Sequence, residues 1–203
     1  YTSPHTLSLH DALPICGRTL HIVGLGIDPE YTPLVAGLAA IRAGRSRRAE
    51  NIAAELAKIG IHGSLEGAYA HVGERRLIGR THFARFLVEQ GYAKDVKSVF
   101  KKYLIKGKPG YAAHEWTALG DAIGWICGSG GRAVIAHPGR YDLGKNVLKD
   151  LLNEFRALGG TGIEVVTSSH TPDQVKHFAQ HAQNMDLLVS CGSDFHGPNE
   201  SYY

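Results

Sequence analysis

The last third of the chain alternates short apolar runs with helix-period segments, and few folds accept that alternation. Residues 133–136 read as a short buried strand. Residues 146–158 form an amphipathic helical pattern that stops at Gly159-Gly160. Residues 162–166 (GIEVV) form a second strand, 172–184 a second helix and 187–190 a third strand. Strand and helix in strict turn argue for parallel βα units. The 203 residues, 43% of them hydrophobic, suffice for one buried α/β domain with an insertion.

Upstream, residues 19–27 (TLHIVGLGI) read as a strand that Asp28-Pro29 ends. The stretch 33–116 has another texture. Helical patterns cover 33–59, 64–71, 81–90 and 93–104, followed by a Gly-Pro loop over 106–111. A further helix covers 117–128. The expected organisation is an α/β portion over 17–32 and 117–203, interrupted by a helical insertion subdomain over 33–116. Residues 1–16 show no period. TLSLHDALPI, residues 6–15, looks like a translated sequencing-adapter oligonucleotide. The expectation is a non-native segment outside the fold, in a chain truncated at both ends.

Several function classes are disfavoured. A net charge of +3 gives no basic field for stable DNA binding. Cys16, Cys127 and Cys191 form no CxxC pair, so a zinc finger or disulfide framework is disfavoured and a reducing cytoplasm fits. No apolar run approaches the roughly 20 residues of a membrane span, and no signal-peptide pattern opens the chain.

Chemistry is expected where strands end. Val134-Ile135-Ala136-His137-Pro138 stops an apolar run at a histidine, and the last strand runs into Asp194-Phe195-His196. Taken singly, His137 also fits a core or turn histidine, and Asp194-Phe195-His196 a turn or helix N-cap. Together they form part of a carboxylate–imidazole metal site suited to Zn, Mn or Fe. His21, inside the first strand, is a third histidine set among apolar neighbours.

LHIVGLGID, GRTHFARFLVE, VFKKYLIKGKPGYA, IAHPGRYDL and GSDFH, in that order from residue 19 to 198, resemble the PHP (polymerase and histidinol phosphatase) family. More narrowly they resemble its nucleoside 3′,5′-bisphosphate phosphatase and 5′–3′ exoribonuclease branch. The resemblance implies an incomplete, distorted (β/α)7 barrel with a helical insertion. It also implies metal ligands His21, His137, Asp194 and His196, and two or three divalent ions per site in the intact protein. Mn is the expected metal, with Zn, Fe or Mg as alternatives. The family's opening His-x-His strand, its Asp, a later His and a Glu in a GxE turn have no counterpart here. This chain is therefore expected to bind metal weakly, to be inactive by itself and to leave unpaired strand edges.

The implied reaction is hydrolysis of the 3′-phosphate of a nucleoside 3′,5′-bisphosphate by a metal-bound water, with no protein nucleophile. A related action on the 5′ ends of short RNA is implied as well. Phosphate hydrolysis needs cations on the non-bridging oxygens. The implied set is Arg45 and Arg47, then Arg80, Thr81 and His82 where a helix opens, Lys108 in the Gly-Pro loop, and Arg140 after His137. Without the resemblance, Arg45 and Arg47 also read as a solvated helix face. Phe83, Phe86 and Trp116 are aromatic candidates for base stacking, although helical spacing makes the first two core residues. Alternative readings are histidinol-phosphate phosphatase, a polymerase-associated exonuclease, or a non-catalytic binding module of the same fold.

Overall fold

The computed structural model describes residues 6–15, 18–113 and 117–194. It is an α/β structure whose sheet has the order β1-β2-β3-β4-β5. The strands are β1 (Thr6–Ile15), β2 (Arg18–Leu25), β3 (Arg132–Ile135), β4 (Gly162–Thr167) and β5 (Leu188–Gly192). Among the described residues seven α-helices accompany them: α1 (Thr32–Ala57), α2 (Ser64–Ala70), α3 (Arg80–Glu89), α4 (Val96–Val99), α5 (Leu119–Gly128), α6 (Lys145–Ala157) and α7 (Pro172–Asn184). Strands β2 and β3 are antiparallel, whereas β3, β4 and β5 run parallel. The parallel steps are the β3–α6–β4–α7–β5 crossovers that the alternation demands.

The chain divides into two compact units, residues 1–37 with 116–203, and residues 38–115. In the first, α6 buries Leu148, Leu151, Leu152 and Phe155. Their i, i+3, i+4, i+7 spacing makes one apolar stripe. Each such side chain contributes roughly 1.5–3 kcal/mol on burial. Helix α7 opens with a capping box: Thr171 accepts from the Gln174 backbone N–H, and the Gln174 side chain accepts from that of Thr171. The second unit has its own core, in which Ile52, Leu56, Phe83, Leu87, Val99 and Leu104 are fully buried.

Two local features depart from the sequence pattern. Residues 6–15, expected to stand outside the fold, form β1 and pair antiparallel with β2, with irregularities between Leu9 and Ala12 and between Ala12 and Pro14. Strand pairing is made by backbone groups, so an open edge accepts a segment of almost any sequence. The helix expected over 93–104 begins only at Val96, where Asp95 caps the Ser98 N–H at 2.7 Å, and then widens to a π-helical turn over Phe100–Leu104. As the pattern over 33–59 predicts, α1 runs on through Gly37, where the ring of Trp125 packs so closely that an added Cβ would come within 2.5 Å of it.

Among the described residues, β1 and β5 are the sheet edges. Val166, Leu188 and Val189 on β4 and β5 are half or more exposed. Among these residues no helix is long and apolar enough to cross a membrane.

Candidate functional site

The end of the β2–β3 ladder brings two of the sequence-singled histidines together. His21 lies on β2 directly across from Ala136, whose N–H donates to the His21 carbonyl at 3.0 Å. The chain has left β3 at Ile135. His137 adopts φ 31° and ψ 56°, a left-handed conformation that costs an L side chain about 1–2 kcal/mol. That turn carries the imidazole toward β2. His21 Nδ1 and His137 Nε2 stand 2.9 Å apart, with the rings nearly perpendicular at 80°. His137 is 3% exposed.

The turn after β3 is tied down on every side. Pro138–Tyr141 forms a 3-10 turn. The Tyr141 hydroxyl donates to the Ala136 carbonyl at 2.8 Å and accepts the His21 N–H at 2.9 Å, joining β2 to the end of β3. Burial pushes this phenol well above its ordinary range. His170 Nε2 accepts the Gly139 N–H at 3.0 Å, so its Nδ1 is the donor to the Val165 carbonyl at 2.9 Å. The Glu164 carboxylate on β4 accepts the His137 N–H at 2.7 Å. Burial raises its pKa first, opposed by that hydrogen bond, while Asp194 raises it and Arg140 lowers it.

Tyr141→Phe removes both hydrogen bonds of the hydroxyl and leaves a buried carbonyl and N–H to lose a partner. The expected loss is about 1–3 kcal/mol in urea unfolding, without change in the helical circular-dichroism signal. An unchanged midpoint would remove Tyr141 as the tie between β2 and β3.

Asp194, at φ 52° beyond β5, forms an ion pair with Arg140. Two sequence-singled residues thus meet, a carboxylate and a guanidinium. His196, like Trp116, lies outside the described residues. The remaining cationic candidates belong to the second unit. Arg45 and Arg47 lie on α1, half-buried and exposed respectively. Arg80, Thr81 and His82 form the first turn of α3, where His82 Nδ1 accepts the Gly79 N–H at 3.0 Å. Burial lowers the Arg80 pKa, yet a guanidinium stays charged, and it lies 5.5 Å from the centre of the Phe100 ring. Lys108 is exposed in its loop. Phe83 is wholly buried in the core of this unit, which removes it as a stacking platform.

The His21–His137 pair fits a metal ion. Two imidazole nitrogens bound at about 2.0–2.1 Å and at right angles to one another are about 2.9 Å apart, which is the separation found. Without an ion one of them must carry the proton between them; a cation takes both lone pairs. The described residues hold no group of three or more His, Cys, Asp or Glu arranged to take an ion. A metal site built on this pair needs further ligands.

Two residues central to this geometry were not singled out in the sequence, Glu164 and Tyr141. Glu164 carried a signal: an acid in the middle of the apolar run GIEVV has to be paired or used. Tyr141 carried none, because its acceptor role toward His21 spans 120 positions of sequence.

A scan against protein-family models finds no match. The chain is 53% identical, over 183 residues, to a 3′,5′-nucleoside bisphosphate phosphatase of Chromobacterium violaceum, covering 90% of this chain and 64% of that protein. It is 43% identical to the 5′–3′ exoribonuclease Rnm of Escherichia coli, covering 88% of this chain and 61% of the relative. The chain thus spans less than two thirds of these relatives' length. Among solved structures it resembles an amidohydrolase of Chromobacterium violaceum with bound sulfate and no metal. There the TM-score is 0.84 and the identity 49%, covering 97% of this chain and 68% of that one. It also resembles a crystal structure assigned to a metal-dependent phosphoesterase of Bifidobacterium adolescentis, with TM-score 0.76 and 28% identity, covering 94% and 68% of the two chains.

Proposed function

The chain belongs to the PHP family, in its nucleoside 3′,5′-bisphosphate phosphatase and exoribonuclease branch, and from that premise we propose that the whole protein is a metal-dependent phosphoesterase. Its substrate is a nucleoside 3′,5′-bisphosphate, which loses the 3′-phosphate; the 5′ end of a short RNA enters the same site with a diester in place of the monoester. The barrel of the family, closed by strands beyond those described, is part of the same proposal. So is a cytoplasmic location.

The observation that carries the reading is the 2.9 Å pair of imidazole nitrogens where the β2–β3 ladder ends. His21 and His137 hold divalent metal, with Asp194 and His196 completing this chain's share of the ligands. Mn is the proposed ion, two or three per site. When bound, such ions lower the pKa of water and offset phosphate charge. The chain's own residues do the rest. Tyr141 ties the His21 N–H to the Ala136 carbonyl. Arg140 stands at the Asp194 carboxylate, where it can turn to a phosphoryl oxygen. In the second unit, Arg80, Thr81 and His82 present the first turn of a ten-residue helix to an anion. Arg45, Arg47 and Lys108 add charge for a substrate with two phosphates.

The test is incubation of the whole protein with Mn(II) and a nucleoside 3′,5′-bisphosphate, with product identification. Inorganic phosphate and the nucleoside 5′-monophosphate are expected in equal amounts. Loss of the 5′-phosphate instead, or turnover of histidinol phosphate alone, would overturn the assignment.

A further inference from the structure

Glu164 has a place in the fold that the reaction as described leaves without a purpose of its own. It lies on β4, between the strand that ends at His137 and the strand that runs to Asp194. It is 8% exposed, a buried acid inside an apolar strand. One carboxylate oxygen, Oε2, takes the His137 N–H at 2.7 Å. The other, Oε1, lies against Gly192 of β5, where an added Cβ would come within 2.2 Å of it. The carboxylate therefore reaches from the turn after β3 to the backbone of β5, and only glycine at 192 leaves it room.

His137 is where this reach matters. The ladder between β3 and β4 pairs Val134 with Gly162 and Ile135 with Ile163. Beyond it the chain turns left-handed at His137, with φ 31°. A left-handed non-glycine residue persists where its surroundings over-determine it. A backbone N–H that leaves a sheet inside a protein needs another acceptor. Glu164 is that acceptor, and it is charge-assisted when ionised.

We propose that Glu164 is a positioning residue, whose carboxylate takes the His137 N–H and so holds the left-handed turn that aims His137 Nε2 at His21 Nδ1. Its role is to preorganise a ligand pair through the backbone, without touching the ion. The inference rests on His21 and His137 being metal ligands. A glutamine can accept the same N–H through its amide oxygen; an alanine cannot.

The test compares Glu164→Gln, Glu164→Ala and Gly192→Ala with wild type in the whole protein, using Co(II) titration by visible absorption and the His137 backbone amide in nitrogen-15 NMR of the metal-free protein. Glu164→Gln is expected to bind Co(II) within about threefold of wild type. Glu164→Ala is expected to weaken it roughly 10–100-fold, the range for losing an outer partner of a metal ligand. Gly192→Ala, whose methyl displaces Oε1, is expected to fall with Glu164→Ala. The His137 amide should keep its shift in Glu164→Gln and move in the other two.

Equal loss in Glu164→Gln and Glu164→Ala would overturn the proposal in favour of a carboxylate that binds the ion itself. So would wild-type Co(II) affinity in Glu164→Ala. If Glu164→Ala does not fold, the contrast between Glu164→Gln and Gly192→Ala decides. A whole protein that binds no Co(II) defeats the metal reading instead. The His137 amide shifts then still report whether Glu164 sets the turn.

Discussion

In the whole protein, and on the proposed function, His137→Ala is expected to lower kcat/KM for a nucleoside 3′,5′-bisphosphate by more than the roughly 10–100-fold that follows loss of a ligand's outer partner, and to lower bound Mn(II) with it. The substitution removes one of the two nitrogens that stand 2.9 Å apart. It does not remove what shapes the turn. Alanine has the same Cβ as histidine, so the strain at φ 31° is unchanged. The N–H that donates to Glu164 and the Tyr141 ties between β2 and β3 remain. Folding stability should move by no more than a core substitution's usual loss, about 1–2 kcal/mol, because the lost ring is small and polar. Full activity with normal Mn content would take His137 out of the site. Lost activity with normal Mn content would make it a substrate contact, since the ion would have shown itself indifferent to the imidazole.

That expectation depends on features a linear reading can reach and on others it cannot. The α6 stripe of Leu148, Leu151, Leu152 and Phe155 was legible because helical period and burial are the same statement. The strand ends before His137 and Asp194 were legible because an apolar run that stops at a chemical side chain leaves few places for it to point. The 2.9 Å approach of His21 to His137 was not. It requires β2 and β3 to be antiparallel neighbours in one register, and no local pattern sets the partner of a strand. Glu164 was half legible: its burial could be read from GIEVV, but its partner is the backbone of a residue 27 positions away. In the second unit, the widening of α4 to a π-helical turn at Phe100–Leu104 defeats helical period as a guide, since the stripe shifts where the turn widens.

Phe83→Ala is expected to destabilise the second unit by about 3–5 kcal/mol, the range for emptying a buried aromatic site. Phe83 is fully buried in a core shared with Leu56, Leu87, Val99 and Leu104. Those side chains come from α1, α3, α4 and the turn that follows it, so no single neighbour can collapse into the space. Helix α3 carries Arg80, Thr81 and His82 in its first turn, and its loosening should weaken the phosphate binding proposed for it, whereas the metal affinity proposed for the His21–His137 pair, which belongs to the other unit, is expected to hold. The expected signature is a split: KM for the bisphosphate rises, Mn(II) affinity holds, and hydrogen exchange quickens across residues 80–104 but not across β3 and β4. A variant that loses metal and substrate together would show that the two units fold as one cooperative body, and the phosphate-binding role of α3 would then have to be tested at Arg80 itself.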